Sequence, residues 1–276
     1  MTDIRTRNGG QLLMDSLVAL GATRGFGVPG ESYLAVLDAM VDHANAFDLV
    51  LCRQEGGAAY MAAAWGKLTG EPGLCFVTRG PGATNSTVGI HTAMQDSVPM
   101  ILFVGQVGTD VMGREAFQEV DYTAFFGPLA KWAVQIDHVD RVPEIISRAW
   151  TVAMSGRPGP VVVALPEDML VGTSDRLPCD PVTIPEPAVP EAGAARMAAM
   201  LAAAERPVML VGGTRWTAGS ARALESFAAA NDVPVVAAFR FHDIIDNHCP
   251  SFVGDAGVAM NAYMKDLLRE ADLIVA

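Results

Sequence analysis

The segment 48-DLVLCRQEGGAAYMAAAWGKLTG-70 sets one carboxylate, Glu55, where a strand gives way to a helix. After Asp48 the run to Cys52 is short and apolar, as a strand of a parallel sheet is. From Gly56 to Leu68 the chain is Ala-rich, with Met61, Trp65 and Leu68 at helical spacing and Gly70 as a stop. Glu55 therefore falls at the carboxyl end of a strand and in the first turn of a helix, where open α/β sheets place ligand sites. The helix dipole favours its charged form by about 0.3–1 kcal/mol. Apolar burial opposes this and raises a carboxyl pKa by as much as roughly 3–5. In a closed site burial wins, and Glu55 becomes an acid able to share a proton near neutral pH. Gly56 and Gly57 are costly in a helix and suit a close approach to the backbone. An acid serving the dipole, with glycines serving helix packing, is the plainer alternative.

Other chemistry-bearing residues stand on neighbouring turns. Val28-Pro29-Gly30 and 78-TRGPGATN-85 each follow a strand-like run, and the second puts backbone amides and the Asn85 amide at a helix start. A plain strand-to-helix turn capped by Thr84 or Asn85 reads the same way. His242, Asp243, Asp246 and His248 match no metal-ligand spacing and read as a polar loop. His91 reads as a boundary residue of a helix, and no Ser-His-Asp or Cys-His arrangement has local support. Cys52, Cys75, Cys179 and Cys249 show no C-x-x-C spacing, which fits a reducing compartment, with Cys52 and Cys75 as core thiols.

The elements that must position these residues alternate. Apolar runs at 24–28, 48–52, 73-GLCFV-77, 100-MILFVG-105, 131–136 and 156-GRPGPVVVALP-166 are separated by helical patterns, except that a polar loop with 116-AFQEVD-121 lies between 105 and 131. Near-continuous apolar strands between helices imply an α/β fold, a doubly wound parallel sheet covered on both faces. On this reading residues 1–172 form one domain. The proline-rich stretch 173–190, with Pro178, Pro181, Pro185, Pro187 and Pro190, forms a semi-rigid linker. A second, Rossmann-like α/β domain fills 191–276. It ends on the strand-like 271-ADLIVA-276, so it is expected to be incomplete and the chain cut short.

The chain has 276 residues, 51% of them hydrophobic, and a net charge of −12. No Lys/Arg cluster is present to neutralise phosphates, which argues against nucleic acid. A small diphosphate neutralised by a divalent metal remains compatible. The opening MTDIRTRNGG has no apolar segment for secretion, and 98-VPMILFVG-105 is far short of a bilayer span, so the expectation is a cytoplasmic protein without a membrane segment.

Five motifs in order carry a resemblance: RQEGGAAY, GPGATN, DSVPMILFVGQV, AFQE and SGRPGPVVVALPED. Over Gly9 to about Leu170 the chain resembles the pyrimidine-binding domain of thiamine-diphosphate-dependent enzymes of the acetolactate synthase type. The second unit resembles the start of that family's central domain. The resemblance implies a carboligase or decarboxylase of 2-oxo acids using thiamine diphosphate with Mg²⁺, in at least a homodimer or homotetramer. It gives Glu55 the catalytic role of hydrogen-bonding the cofactor's aminopyrimidine and so promoting proton removal from the thiazolium. It places Pro29, Gly30, Pro81, Gly82 and Asn85 around the pyrimidine, and Phe117, Gln118 and Lys131 toward the reacting end. Packing for Phe117 and a solvated strand end for Lys131 are the plainer readings.

Departures from the family pattern matter as well. Arg79 replaces the usual serine of T-S-G-P-G; it either binds an acidic substrate or pairs on the surface. No H-G-T follows 254-GDAG-257, and Gly212-Gly213 is no dinucleotide fingerprint, which counts against FAD. Neither the Gly-Asp-Gly nor the Asn-Asn that holds the family's metal occurs, so metal ligands are expected outside this chain and the chain alone is expected to be inactive. Sulfoacetaldehyde acetyltransferase, glyoxylate carboligase and a non-catalytic partner subunit are the alternatives.

Overall fold

In the first unit, elements alternate as the apolar runs require. The computed structural model describes residues 6–276; residues 1–5 of the stretch read for a secretion signal lie outside the described residues. The chain opens with β1 (Arg7–Asn8), α1 (Gly9–Ala19), β2 (Arg24–Gly27), α2 (Leu34–Asp42), β3 (Asp48–Leu51) and α3 (Glu55–Thr69). There follow β4 (Gly73–Val77), α4 (Pro81–Asn85), α5 (Thr87–Asp96), β5 (Met100–Gln106), α6 (Tyr122–Phe126) and β6 (Trp132–Gln135). The unit closes with α7 (Val142–Met154), β7 (Pro160–Pro166), α8 (Glu167–Val171) and β8 (Thr173–Ser174).

Six strands form one wholly parallel sheet in the order β3-β2-β4-β5-β7-β6. Side chains alternate across it. Leu74, Phe76, Ile101, Phe103, Val161, Val163 and Leu165 pack with α1, α2 and α7 on one face. Cys75, Val77, Met100, Leu102, Val104, Val162 and Ala164 pack with α3, α5 and α6 on the other. Both faces are covered, so β4, β5 and β7 are buried throughout and, but for Gln106 at the end of β5, carry no polar side chain, the pattern that marks them in the sequence. Burying each large side chain contributes about 1.5–3 kcal/mol.

Local signals set the helix ends. Asn8 caps α1, its side chain accepting from Gln11 N–H at 2.8 Å while Gln11 accepts from Asn8 N–H at 3.1 Å. Gly70, at φ +76°, ends α3 in the left-handed conformation that glycine adopts freely.

The chain divides into two compact units, the first ending at Glu186 and the second beginning at Pro187. The stretch read as a linker is therefore not detached along its whole length. β8 pairs antiparallel with β1, and Val182 and Ile184 pack on the first core.

The second unit contains α9 (Glu191–Ala203), β9 (Pro207–Val211), α10 (Ala218–Ala230), β10 (Val235–Ala238), β11 (Phe252–Ala256), α11 (Ala262–Glu270) and β12 (Leu273–Val275). Its sheet is parallel in the order β11-β10-β9-β12. Met209, Val211, Val235 and Ala237 pack with Ala228 of α10 on one face; Val208 and Val236 pack with Met264 of α11 on the other. The sequence reading passed over β11 and α11. Gly254 and Asp255 belong to types depleted in strands, and pairing with β10 overrides that preference. The start of α11 carried a usable signal, since Asn261 accepts from Met264 N–H at 2.8 Å as its cap. No helix among the described residues is long and apolar enough to cross a membrane.

Candidate active site

Strand order decides which loops can meet. β2 is hydrogen-bonded to both β3 and β4, so the turns leaving these three strands are neighbours at the carboxyl end of the sheet. They are Val28 to Gly30, Cys52 to Gln54, and Thr78 to Gly80 leading into α4. β5 lies beside β4, and β7 beside β5, which adds the loop after Gln106 and the first residue of α8.

Glu55 is the first residue of α3 and is half-buried. Gln54 caps that helix, its side-chain oxygen accepting from Gly57 N–H at 2.8 Å. Glu55 Oε2 accepts from Asn85 Nδ2 at 3.0 Å. Gly56 serves the chain's own packing: a Cβ there would stand 3.2 Å from Asn85 O and 3.1 Å from Val88 Cγ2. The close approach inferred from this glycine is thus made by the Asn85 turn, which brings the amide to the carboxylate.

The first and third turns are laced together. Ser32 Oγ and Thr78 Oγ1 share a hydrogen bond of 2.8 Å, and Ser32 Oγ also accepts from Arg79 N–H at 3.1 Å. Gly30 lies directly against the Thr78 side chain. Pro29 and Pro81 are exposed on the two turns, and Gly82 is buried between Thr78 and Glu55. Tyr33 donates to Val28 O at 2.6 Å from full burial, which drives its hydroxyl pKa well above the ordinary tyrosine range, with Cys75 and Glu55 adding to the effect. Burial likewise pushes the Cys75 thiol far up, so it packs as an inert core group.

Phe117 and Gln118 reach the same end of the sheet. Gly80 has φ +60° and ψ −111°, and a Cβ there would stand 2.7 Å from Gln118 Cβ. Gly80 N–H donates to Tyr122 Oη at 2.7 Å. Gln118 is itself left-handed, at φ +64°. Phe117 is 73% exposed, so its ring is presented rather than packed.

Two expectations change. Arg79 neither faces solvent nor has charge to spare for an acidic substrate. It is only 8% exposed, its guanidinium paired with Glu31 at 2.8 Å and with Glu167, and its Nε donates to Phe117 O at 3.1 Å. Lys131 precedes β6 and so stands at the amino end of the sheet, opposite the other candidates. Its Nζ donates to Val152 O at 2.5 Å and Ser155 O at 2.8 Å, at the end of α7. There an ammonium satisfies carbonyls left open by the helix terminus.

Glu31, Glu167 and Tyr122 were missed because each belongs to a different distant segment. The sequence signal was the cation Arg79 in that turn; its burial, seen only in the structure, requires partners. His91 is exposed on α5. His242, Asp243, Asp246 and His248 are exposed, and Asp246 accepts from His248 N–H at 2.9 Å within one turn. No group of three or more His, Cys, Asp or Glu placed to hold a metal occurs among the described residues.

Residues 7–125 match the thiamine pyrophosphate enzymes' N-terminal TPP binding domain, and residues 194–276 match the central domain of the same enzymes. The chain belongs to the thiamine pyrophosphate enzyme family. Within the family it is similar to the acetolactate synthase isozyme 2 large subunit of Escherichia coli strain K12, 34% identical over 269 residues, covering 98% of this chain and 49% of that one. It is 37% identical over 236 residues to the isozyme 3 large subunit of the same organism, covering 83% of this chain and 41% of that one. Against the probable acetolactate synthase large subunit of Methanocaldococcus jannaschii it is 34% identical over 281 residues, covering 97% and 46%. The chain spans about half the length of the curated relatives it matches or somewhat less.

The site fits the aminopyrimidine end of the family's cofactor. Asn85 holds one oxygen of Glu55, while Oε1 accepts no hydrogen bond among the described residues and lies beside Gly82. A ring nitrogen is a suitable partner for that oxygen.

Proposed function

We propose that this chain supplies the pyrimidine half of the site of an acetolactate synthase-like carboligase or decarboxylase of 2-oxo acids. The observation that carries the reading is the Glu55 carboxylate, one oxygen held by Asn85 and the other open, at the meeting of three interlaced turns. Thiamine diphosphate, when bound, supplies a carbon nucleophile and an electron sink for the 2-oxo acid. Glu55 holds or shares a proton at its free oxygen with the pyrimidine ring nitrogen. Asn85 orients the carboxylate, and Pro29, Gly30, Pro81 and Gly82 border the ring. Phe117 and Gln118 stand on the side where substrate enters. Mg²⁺ and the diphosphate are held by groups outside this chain, on a further segment or a partner subunit, so a homodimer or homotetramer is part of the proposal. FAD is left out of the proposal because no H-G-T follows 254-GDAG-257 and Gly212-Gly213 is no dinucleotide fingerprint.

Changing Glu55→Gln in the protein that carries the complete cofactor site tests the assignment. Loss of a positioned acid-base group lowers turnover by roughly 10²–10⁴-fold; near-wild-type turnover sinks it. Product analysis with pyruvate alone separates acetolactate synthesis from sulfoacetaldehyde acetyltransferase or glyoxylate carboligase chemistry. The alternative is a partner subunit that carries no diphosphate site of its own. It predicts activity only when a separate metal-binding chain is added.

A further inference from the structure

The Phe117 ring is 73% exposed, so packing of its own side chain does not fix where it stands. Its position is set through its backbone. The donor to its carbonyl is Arg79 Nε, at 3.1 Å. The same guanidinium is anchored on Glu31, in the short turn after β2, and on Glu167, the first residue of α8 after β7. One buried cation thus joins the segments that leave β2, β4, β5 and β7. The loop it grips is otherwise held by a few points. Glu119 closes it on itself, accepting from Gly113 N–H at 2.6 Å and Ala116 N–H at 3.0 Å. Gln106 Nε2 donates to Val120 O at 2.8 Å, and Tyr122 Oη takes the Gly80 N–H. Gln118 is left-handed directly over Gly80, a conformation that persists only where its surroundings enforce it.

We infer that Arg79 is a positioning residue: clamped between Glu31 and Glu167, it locks segment 113–122 through the Phe117 carbonyl and thereby sets where Phe117 and Gln118 stand. Its planar fork makes three directed contacts at once, which an ammonium cannot reproduce. The clamp stands on the geometry alone. Its effect on substrate rests on the function proposed above.

Arg114 is exposed within the gripped loop and offers trypsin a reporter. Proteolysis of a transiently opened segment follows the population of its open form. In the 276-residue chain, Arg79→Ala raises cleavage after Arg114 roughly tenfold, the ratio expected on losing a charge-assisted hydrogen bond. Cleavage after Arg141, outside the loop, serves as the control and stays constant. Arg79→Lys restores protection only in part. A folded Arg79→Ala chain with unchanged cleavage after Arg114 overturns the clamp. If that variant fails to fold, Glu167→Gln takes its place: severalfold faster cleavage supports the clamp, and no change overturns it. In the protein with the complete cofactor site, Arg79→Lys shifts kcat/KM for the 2-oxo acid at unchanged thiamine diphosphate affinity. Faster Arg114 cleavage with unaltered kcat/KM overturns the positioning role. Failure of the proposed function shows separately, as a Glu55→Gln protein indistinguishable from wild type, and leaves the Arg114 readout intact.

Discussion

Asn85 Nδ2, at the end of α4, donates at 3.0 Å to Oε2 of Glu55, the first residue of α3. The carboxylate is thereby oriented by its neighbour, and its other oxygen accepts no hydrogen bond among the described residues. Hydrogen bonds to a charged group contribute about 1.5–3 kcal/mol. Asn85→Leu should therefore lower kcat/KM of the complete enzyme by roughly tenfold or more. Asn85→Asp sets two carboxylates at hydrogen-bonding distance and should cost more than the Leu change. Steady-state kinetics on the pair checks this, and equal effects would count against an electrostatic origin.

Gly80 combines a left-handed φ with a place directly under Gln118. Gly80→Ala meets both strain and overlap, and should destabilise the first unit by about 1–3 kcal/mol. Urea unfolding should show a lower midpoint at constant slope. A midpoint within error of wild type would mean the turn can relax without cost.

Lys131 separates two accounts of one residue. Its ammonium, with a pKa lowered by burial, closes the end of α7. Lys131→Met leaves those carbonyls unpaired, a cost of about 1–3 kcal/mol, with cofactor-dependent turnover retained at temperatures where the protein stays folded. Lost turnover at unchanged thermal stability would instead place Lys131 in the chemistry.

Acid should loosen the loop before the core. Glu119 is held below the usual carboxylate range by the Gly113 and Ala116 amides, and Asp121 by the Ala124 amide and the Thr123 hydroxyl. A carboxylate with a depressed folded pKa stabilises fully above its unfolded value and loses that contribution as pH falls through the folded one. Amide exchange at Gly113, Ala116 and Ala124 should accelerate relative to the sheet as pH falls below the ordinary carboxylate range. Uniform behaviour of loop and sheet would contradict it.

Legibility varied for physical reasons. β4, β5 and β7 were readable because strands covered on both faces are near-continuous apolar runs. Glu55 was readable because strand, turn and helix start are consecutive in the chain. β1 and β8 were not, since two-residue strands carry no periodicity and exist only by pairing with each other. The place of Lys131 was not legible, because which end of the sheet a residue joins depends on strand direction and pairing, and Lys131 N–H pairs with Pro160 O at the start of β7.

By itself the sequence determined the alternation of strands and helices, the parallel sheets, the turn that carries Glu55 and the family motifs. All of these are local or periodic properties, settled by residues close along the chain. Only the tertiary structure decided the strand order that brings three turns together, the Asn85 amide against Glu55, and the burial of Arg79 among Glu31, Glu167 and Phe117 O. The partners of Arg79 come from strands that are neighbours in the sheet but distant in the chain. Which carboxylates neutralise a buried cation is therefore settled by the packing of the whole unit.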